Sequence, residues 1–137
     1  LLEREKTVAE AACAAAVAGV VNGHIKDLAG KNVVMLLSGG NIDVSLISRI
    51  IERGLVQDGR LAHLNIRLRD RPGALAALTS VLAKSGANIV NLEHRRGYSG
   101  LWLTEAEVAL TLETRGREHL AAITSMLTEN GYTVHPE

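Results

Sequence analysis

The chain has 137 residues, 47% of them hydrophobic, with 15 basic and 15 acidic side chains in balance, which is room for one ordinary domain or two small ones around a real core. One tryptophan, two tyrosines and no net charge provide neither a basic field nor a stacking platform, which excludes nucleic acid as a partner. Apolar runs such as residues 11–21 reach about half the length of a membrane span, so no membrane partner is expected either.

Cys13 stands alone, which excludes an internal disulfide and a multi-cysteine metal site and suits a cytoplasmic location. Within its run of alanines it reads as a small buried hydrophobe. The opening Leu1-Leu2-Glu3-Arg4-Glu5-Lys6 enters a charged helical pattern directly, as a piece cut from a longer protein would. An alanine-rich helix is predicted over residues 7–21, ended by Asn22-Gly23. Residues 32–37, Asn-Val-Val-Met-Leu-Leu, have the length and apolarity of a strand covered on both faces in a parallel sheet, and would need neighbouring strands that the chain does not supply. After Ser38-Gly39-Gly40-Asn41, residues 43–53 form an amphipathic pattern with Val44, Ile47, Ile50 and Ile51 on one side, stopped by Gly54. Helix, strand, glycine turn and helix make an α/β edge without its centre. Such a segment buries too little to stand alone and is expected to lean on the rest of the chain or on a partner.

A polar joint, Gln57-Asp58-Gly59-Arg60, divides residues 1–60 from residues 61–137. The second segment repeats itself: Leu-Ala-Ala-Leu-Thr-Ser-Val-Leu at 75–82 returns as Leu-Ala-Ala-Ile-Thr-Ser-Met-Leu at 120–127. Each copy is helical, with Leu75, Leu78 and Leu82, or Leu120, Ile123 and Leu127, on one face, and each is closed by a glycine. An alternating strand precedes each: Leu64, Ile66 and Leu68 in the first, Val108, Leu110 and Leu112 in the second. Residues 87–94 and 132–135 supply the strand that follows. Two βαβ units in tandem give an α+β, ferredoxin-like βαββαβ domain with both helices on one face of an antiparallel sheet. The first and third strands then lie side by side, with Arg67 and Arg69 opposite Glu107 or Glu113, an arrangement that stabilises register by about 0.2–1 kcal/mol per pair.

The turn into the first repeated helix, Asp70-Arg71-Pro72-Gly73-Ala74-Leu75, combines a capping aspartate, a first-turn proline and a glycine that lets a ligand approach the backbone. Free N–H groups there would attract a carboxylate; an ordinary strand-to-helix turn is the competing reading. The turn in the second copy, Thr114-Arg115-Gly116-Arg117, lacks the proline and has one more residue before its helix, so the shared fold does not require the first loop's form.

With Gly86-Ala87-Asn88-Ile89-Val90-Asn91, this loop resembles the ACT domain over the whole of 61–137. That resemblance implies amino-acid binding at a paired interface, with Asp70, Arg71, Pro72, Gly73, Ala74 and Leu75 in the ligand loop and Asn88 and Ile89 at the second-strand start. The aspartate stands where amino-acid-binding members often have asparagine; it either takes the ligand's ammonium or caps its helix. Upstream, Leu36-Leu37-Ser38-Gly39-Gly40-Asn41, preceded by Lys6-Thr7-Val8-Ala9-Glu10, is similar to the end of the catalytic domain of pyridoxal-phosphate-dependent threonine ammonia-lyases, a fold type II α/β domain. Some members follow it with an ACT domain.

The resemblance implies that Ser38 hydrogen-bonds the pyridine nitrogen of the cofactor, with Gly39, Gly40 and Asn41 in the same turn and Glu10 nearby. A neutral hydroxyl there leaves the ring unprotonated and tunes it toward β-elimination. Around Glu10 the chain departs from the family, with alanines and Cys13 where relatives have glycine or proline. The family's Schiff-base lysine motif and glycine-rich phosphate loop do not occur in the sequence, so no catalytic residue is assigned and no cofactor is expected on this piece alone. The five histidines lack metal-ligand spacing, and no metal is expected.

The reading is a helix-strand-helix remnant of the catalytic domain (1–60) followed by an ACT regulatory domain (61–137). The parent reaction would convert L-threonine to 2-oxobutanoate and ammonia. The ACT domain would bind isoleucine or valine, join subunits into a homodimer or larger homo-oligomer, or do both. A free-standing ACT sensor or assembly module, and a serine-deaminating lyase of the same fold, are the alternatives.

Overall fold

The computed structural model describes residues 1–97, 102 and 104–136. The chain forms two compact units, Leu1–Ile50 and Ile51–Glu137.

The first unit contains α1 (Leu2–Glu5), α2 (Ala11–Val21) and the beginning of α3 (Val44–Gln57). The predicted helix over 7–21 starts only at Ala11 because Glu10 is held in extended backbone by its N–H bond to the Gly39 carbonyl, 3.1 Å. At the head of α3, Asp43 Oδ1 accepts the Ser45 N–H at 2.7 Å, a side-chain N-cap. The Ser45 hydroxyl and amide together hold the Asp43 carboxyl below the usual carboxylate range. Gly54 does not stop α3, which runs on to Gln57; an interior glycine costs a helix only about 1 kcal/mol. The strand expected over 32–37 does not form. A strand exists through its ladder, and among the described residues no other strand pairs with this one. Val34 and Leu36 are consequently 94% and 84% exposed, and no residue of the first unit is buried.

The second unit has the βαββαβ order: β1 (Leu61–Arg69), α4 (Ala74–Ser85), β2 (Asn88–Arg96), β3 (Glu105–Glu113), α5 (Arg117–Glu129) and β4 (Thr133–Pro136). The sheet is antiparallel in the order β2-β3-β1-β4. In β1 and β3 every second residue is buried, as alternation on a half-covered sheet requires. Ile66, Val108 and Leu112 from the sheet meet Leu78 and Leu82 of α4 and Ile123 and Leu127 of α5, all fully buried. Leu75 and Leu120 pack at the margin. The turn before α5 spans 114–116 and that before α4 spans 70–73, so the extra residue of the second copy is absorbed by an earlier helix start.

The register sets Arg67 opposite Glu107 and Arg69 opposite Glu105, while Glu113 faces Leu61. The expected Arg–Glu pairs do not form, because each carboxylate is engaged elsewhere. Glu107 Oε1 lies 3.8 Å from Arg95 Nη1, Glu105 accepts the Trp102 N–H at 3.3 Å, and Glu113 accepts from the Asn88 amide at 2.9 Å.

The polar joint belongs to the second unit by its hydrogen bonds. Arg117 donates from Nη2 and Nε to the Gln57 carbonyl, 2.6 and 3.0 Å. Thr114 donates its N–H to the Arg60 carbonyl at 2.9 Å and its hydroxyl to the Gly59 carbonyl. The two repeated turns have therefore diverged in use: the second anchors the incoming chain, and the first is left open.

Candidate effector loop and candidate cofactor turn

The β1–α4 loop begins where the Asp70 N–H bonds the Thr104 carbonyl at 2.8 Å, and it closes with Ala74 N–H to the Arg71 carbonyl at 3.1 Å. Gly73 sits at φ 84° as the N-cap residue, with no side-chain cap bond on α4. That left-handed conformation is one that an L side chain adopts only under strain. Asp70 is not the cap that the sequence suggests. Its Oδ1 lies 3.1 Å from Arg96 Nη2, at the end of β2, so its carboxylate is drawn to the sheet end and away from the helix. The first-turn amides of α4 are thus left without a side-chain acceptor, an arrangement that favours an incoming carboxylate. Arg71, Pro72 and Gly73 are exposed, whereas Ala74 and Leu75 pack against the core.

Asn88 and Ile89 are not beside this loop. Asn88 pairs with Glu113, which lies at the end of β3 opposite to Glu105 and Arg69. The two halves of the anticipated ligand site thus stand at opposite ends of one sheet, with Ile89 turned to the core and Asn88 exposed on the edge strand. A β-bulge between Ile89 and Asn91 pushes Val90 out of the ladder, 55% exposed.

Residues 62–122 match the family described as "ACT domain". The second unit contains an ACT domain. Along 98% of its length the chain is 46% identical to the L-threonine ammonia-lyase of Geobacter sulfurreducens and 42% identical to that of Thermotoga maritima, spanning 33% of each. Over 88 residues, 64% of this chain and 21% of the relative, it is 40% identical to the biosynthetic L-threonine dehydratase IlvA of Lactococcus lactis. The similarity covers the ACT domain and the segment before it together, and lies in the C-terminal region of the ammonia-lyases.

Upstream of the ACT domain, the structure brings together four of the residues around the Ser-Gly-Gly-Asn turn. The Glu10 carboxylate lies over Gly39, within 2.5 Å of where a Cβ on that residue would stand, so the position is closed to any side chain unless Glu10 swings away. Cys13 Sγ accepts the Gly39 N–H at 3.0 Å and lies 4.0 Å from both Glu10 Oε1 and Ser38 Oγ. Cys13 is therefore not the buried hydrophobe that its alanine context suggests; it is half-buried and supports the turn. No pattern in the sequence marks it, because its partners are 25 and 26 positions away. Ser38, Gly40 and Asn41 remain exposed. Among the described residues no group of histidine, cysteine and carboxylate side chains is arranged to hold a metal, and no helix is long and apolar enough to cross a membrane.

Proposed function

We propose that the chain is the regulatory end of a cytoplasmic, pyridoxal-phosphate-dependent threonine ammonia-lyase, with residues 61–137 sensing a small amino acid and residues 1–60 closing the catalytic domain. The observation that carries this reading is the continuous similarity to threonine ammonia-lyases across the joint, which links the Ser38 turn and the ACT domain in one order. The exposed, unpaired run at 32–37 supports it over a free-standing sensor. An apolar strand covered on both faces belongs inside a larger sheet.

The effector's carboxylate would meet the uncapped first turn of α4, and its ammonium would compete with Arg96 for Asp70. Because Asn88 is at the far end of the same sheet, it would reach a ligand only from a second copy paired antiparallel along the β2 edge. A homodimer is thus part of the proposed sensing unit. In the whole enzyme the residues of the turn would suit the cofactor's pyridine ring: Ser38, an exposed neutral hydroxyl, would serve the ring nitrogen, and Cys13 and Glu10, which bond Gly39, would hold the turn. When bound, the cofactor supplies the electron sink for elimination.

Titration calorimetry of the 137-residue chain with isoleucine and with valine tests the sensing role. Saturable heat and a concentration-dependent rise in Tm are expected. No heat and no Tm shift at millimolar ligand would reduce the ACT domain to an assembly module.

A further inference from the structure

We propose that a cleft at the Arg69 end of the sheet binds a small polyanion, with Arg67, Arg69 and Arg71 as its ligands. The cleft has a volume of about 480 Å³ and lies between the β1–α4 loop and the α5–β4 connection. Its shape follows from the sheet. β4 begins opposite Arg67, so Leu68 and Arg69 have no neighbour on that side and the edge is notched. Ala74 and Ala77 face the notch with side chains too short to fill it.

The charge follows from competition among carboxylates. Three arginines are among the residues that line the cleft, against one acidic residue, Glu105, whose carboxylate is itself bonded to the Trp102 N–H. Glu107, opposite Arg67, is turned to Arg95. Among the described residues Arg67, Arg69 and Arg71 form no ion pair. Like charges gathered around one concavity repel one another, and an anion seated between them removes that cost. Guanidinium forks match carboxylate and phosphate oxygens two at a time. Three forks suit a ligand with several closely spaced anionic oxygens, either a phosphate ester or a di- or tricarboxylate. The single carboxylate of an amino acid would use only one of them. The cleft borders the effector loop at Arg71 and Ala74, but it excludes Asn88 and is complete within one chain, so it does not depend on the paired interface of the amino-acid site proposed above.

The test is titration of the 137-residue chain with sodium pyrophosphate and, separately, citrate at constant ionic strength, followed by calorimetry and amide NMR shifts. Saturable binding is expected, with shifts centred on 67–71 and 130–135. The Arg67→Gln/Arg69→Gln variant should weaken it about tenfold or more, and Arg49→Gln/Arg53→Gln, an equal loss of charge outside the cleft, should leave it unchanged. Saturation by pyrophosphate alone assigns a phosphate ligand and by citrate alone a polycarboxylate; saturation by both supports the shared chemistry. Absence of saturation up to about 10 mM, wild-type shifts mapping elsewhere, or equal weakening by the two variants would overturn the site. Isoleucine added to anion-free samples, read at Asn88 and Ile89, which the cleft does not contain, reports the effector reading separately.

Discussion

Arg96, the last residue of β2, holds Asp70, the first residue after β1, through an Nη2–Oδ1 contact of 3.1 Å. The pair joins the two strand ends that flank the candidate effector loop, and it takes from α4 the side-chain cap that the sequence offers. Arg96 is 67% exposed, so the pair contributes only about 0–1 kcal/mol to stability. Asp70→Ala should therefore change Tm little while weakening isoleucine or valine binding by about tenfold, read by calorimetry. Unchanged affinity would remove Asp70 from the ligand's ammonium.

Glu93 accepts two bonds from Arg95, 2.7 and 3.1 Å. These bonds, with the charge of Arg95, hold its carboxyl below the usual glutamate range. A depressed native value means that the unfolded chain binds the proton first as pH falls. The contribution is thus complete above the unfolded value and is lost as pH drops through the lower, native one. NMR titration of Glu93 should show the low midpoint, and Arg95→Gln should raise it toward the ordinary value. A midpoint unmoved by that substitution would assign the shift to another cause.

Leu78→Ala should destabilise the second unit by about 2–5 kcal/mol, since Leu78 is fully buried between α4 and the sheet and its loss leaves a cavity. Leu36→Ala, at a side chain 84% exposed, should cost under about 0.5 kcal/mol. Urea denaturation of both variants measures the contrast, and equal losses would mean that Leu36 is covered in solution.

Hydrogen exchange should separate the two apolar stretches that look most alike in the sequence. Amides of the central strands β1 and β3 are paired on a covered sheet and should exchange slowly, while those of residues 32–37 lack a ladder and should exchange at once. Protection at 32–37 in the isolated chain would show that the segment finds a strand partner, for example in a second copy.

That comparison marks where local pattern stops being informative. In 61–68 the alternation of apolar and polar residues agrees with the turn at 70–73 and with the repeated helix, and the strand forms. In 32–37 the composition is as strand-like, but covered faces and a ladder are non-local requirements, and the segment stays irregular. Gly54 fails to end α3 for the converse reason: one glycine is a weak stop when the helix beyond it is anchored by the Arg117 bonds to Gln57.

What the sequence determined by itself is the ACT architecture. The period-two strands, the helical faces and the internal repeat are set by near neighbours, and together they fit the βαββαβ topology that forms. Tertiary structure alone decided the partners of the site residues. Asp70 chose Arg96 over the helix, Cys13 took the Gly39 amide, Asn88 was carried to the far end of the sheet, and Arg67 and Arg69 lost their expected carboxylates, Glu107 to Arg95 and Glu113 to Asn88. Each is a competition among charged or polar groups brought within a few ångströms from distant parts of the chain, and its outcome depends on distances that no local spacing encodes.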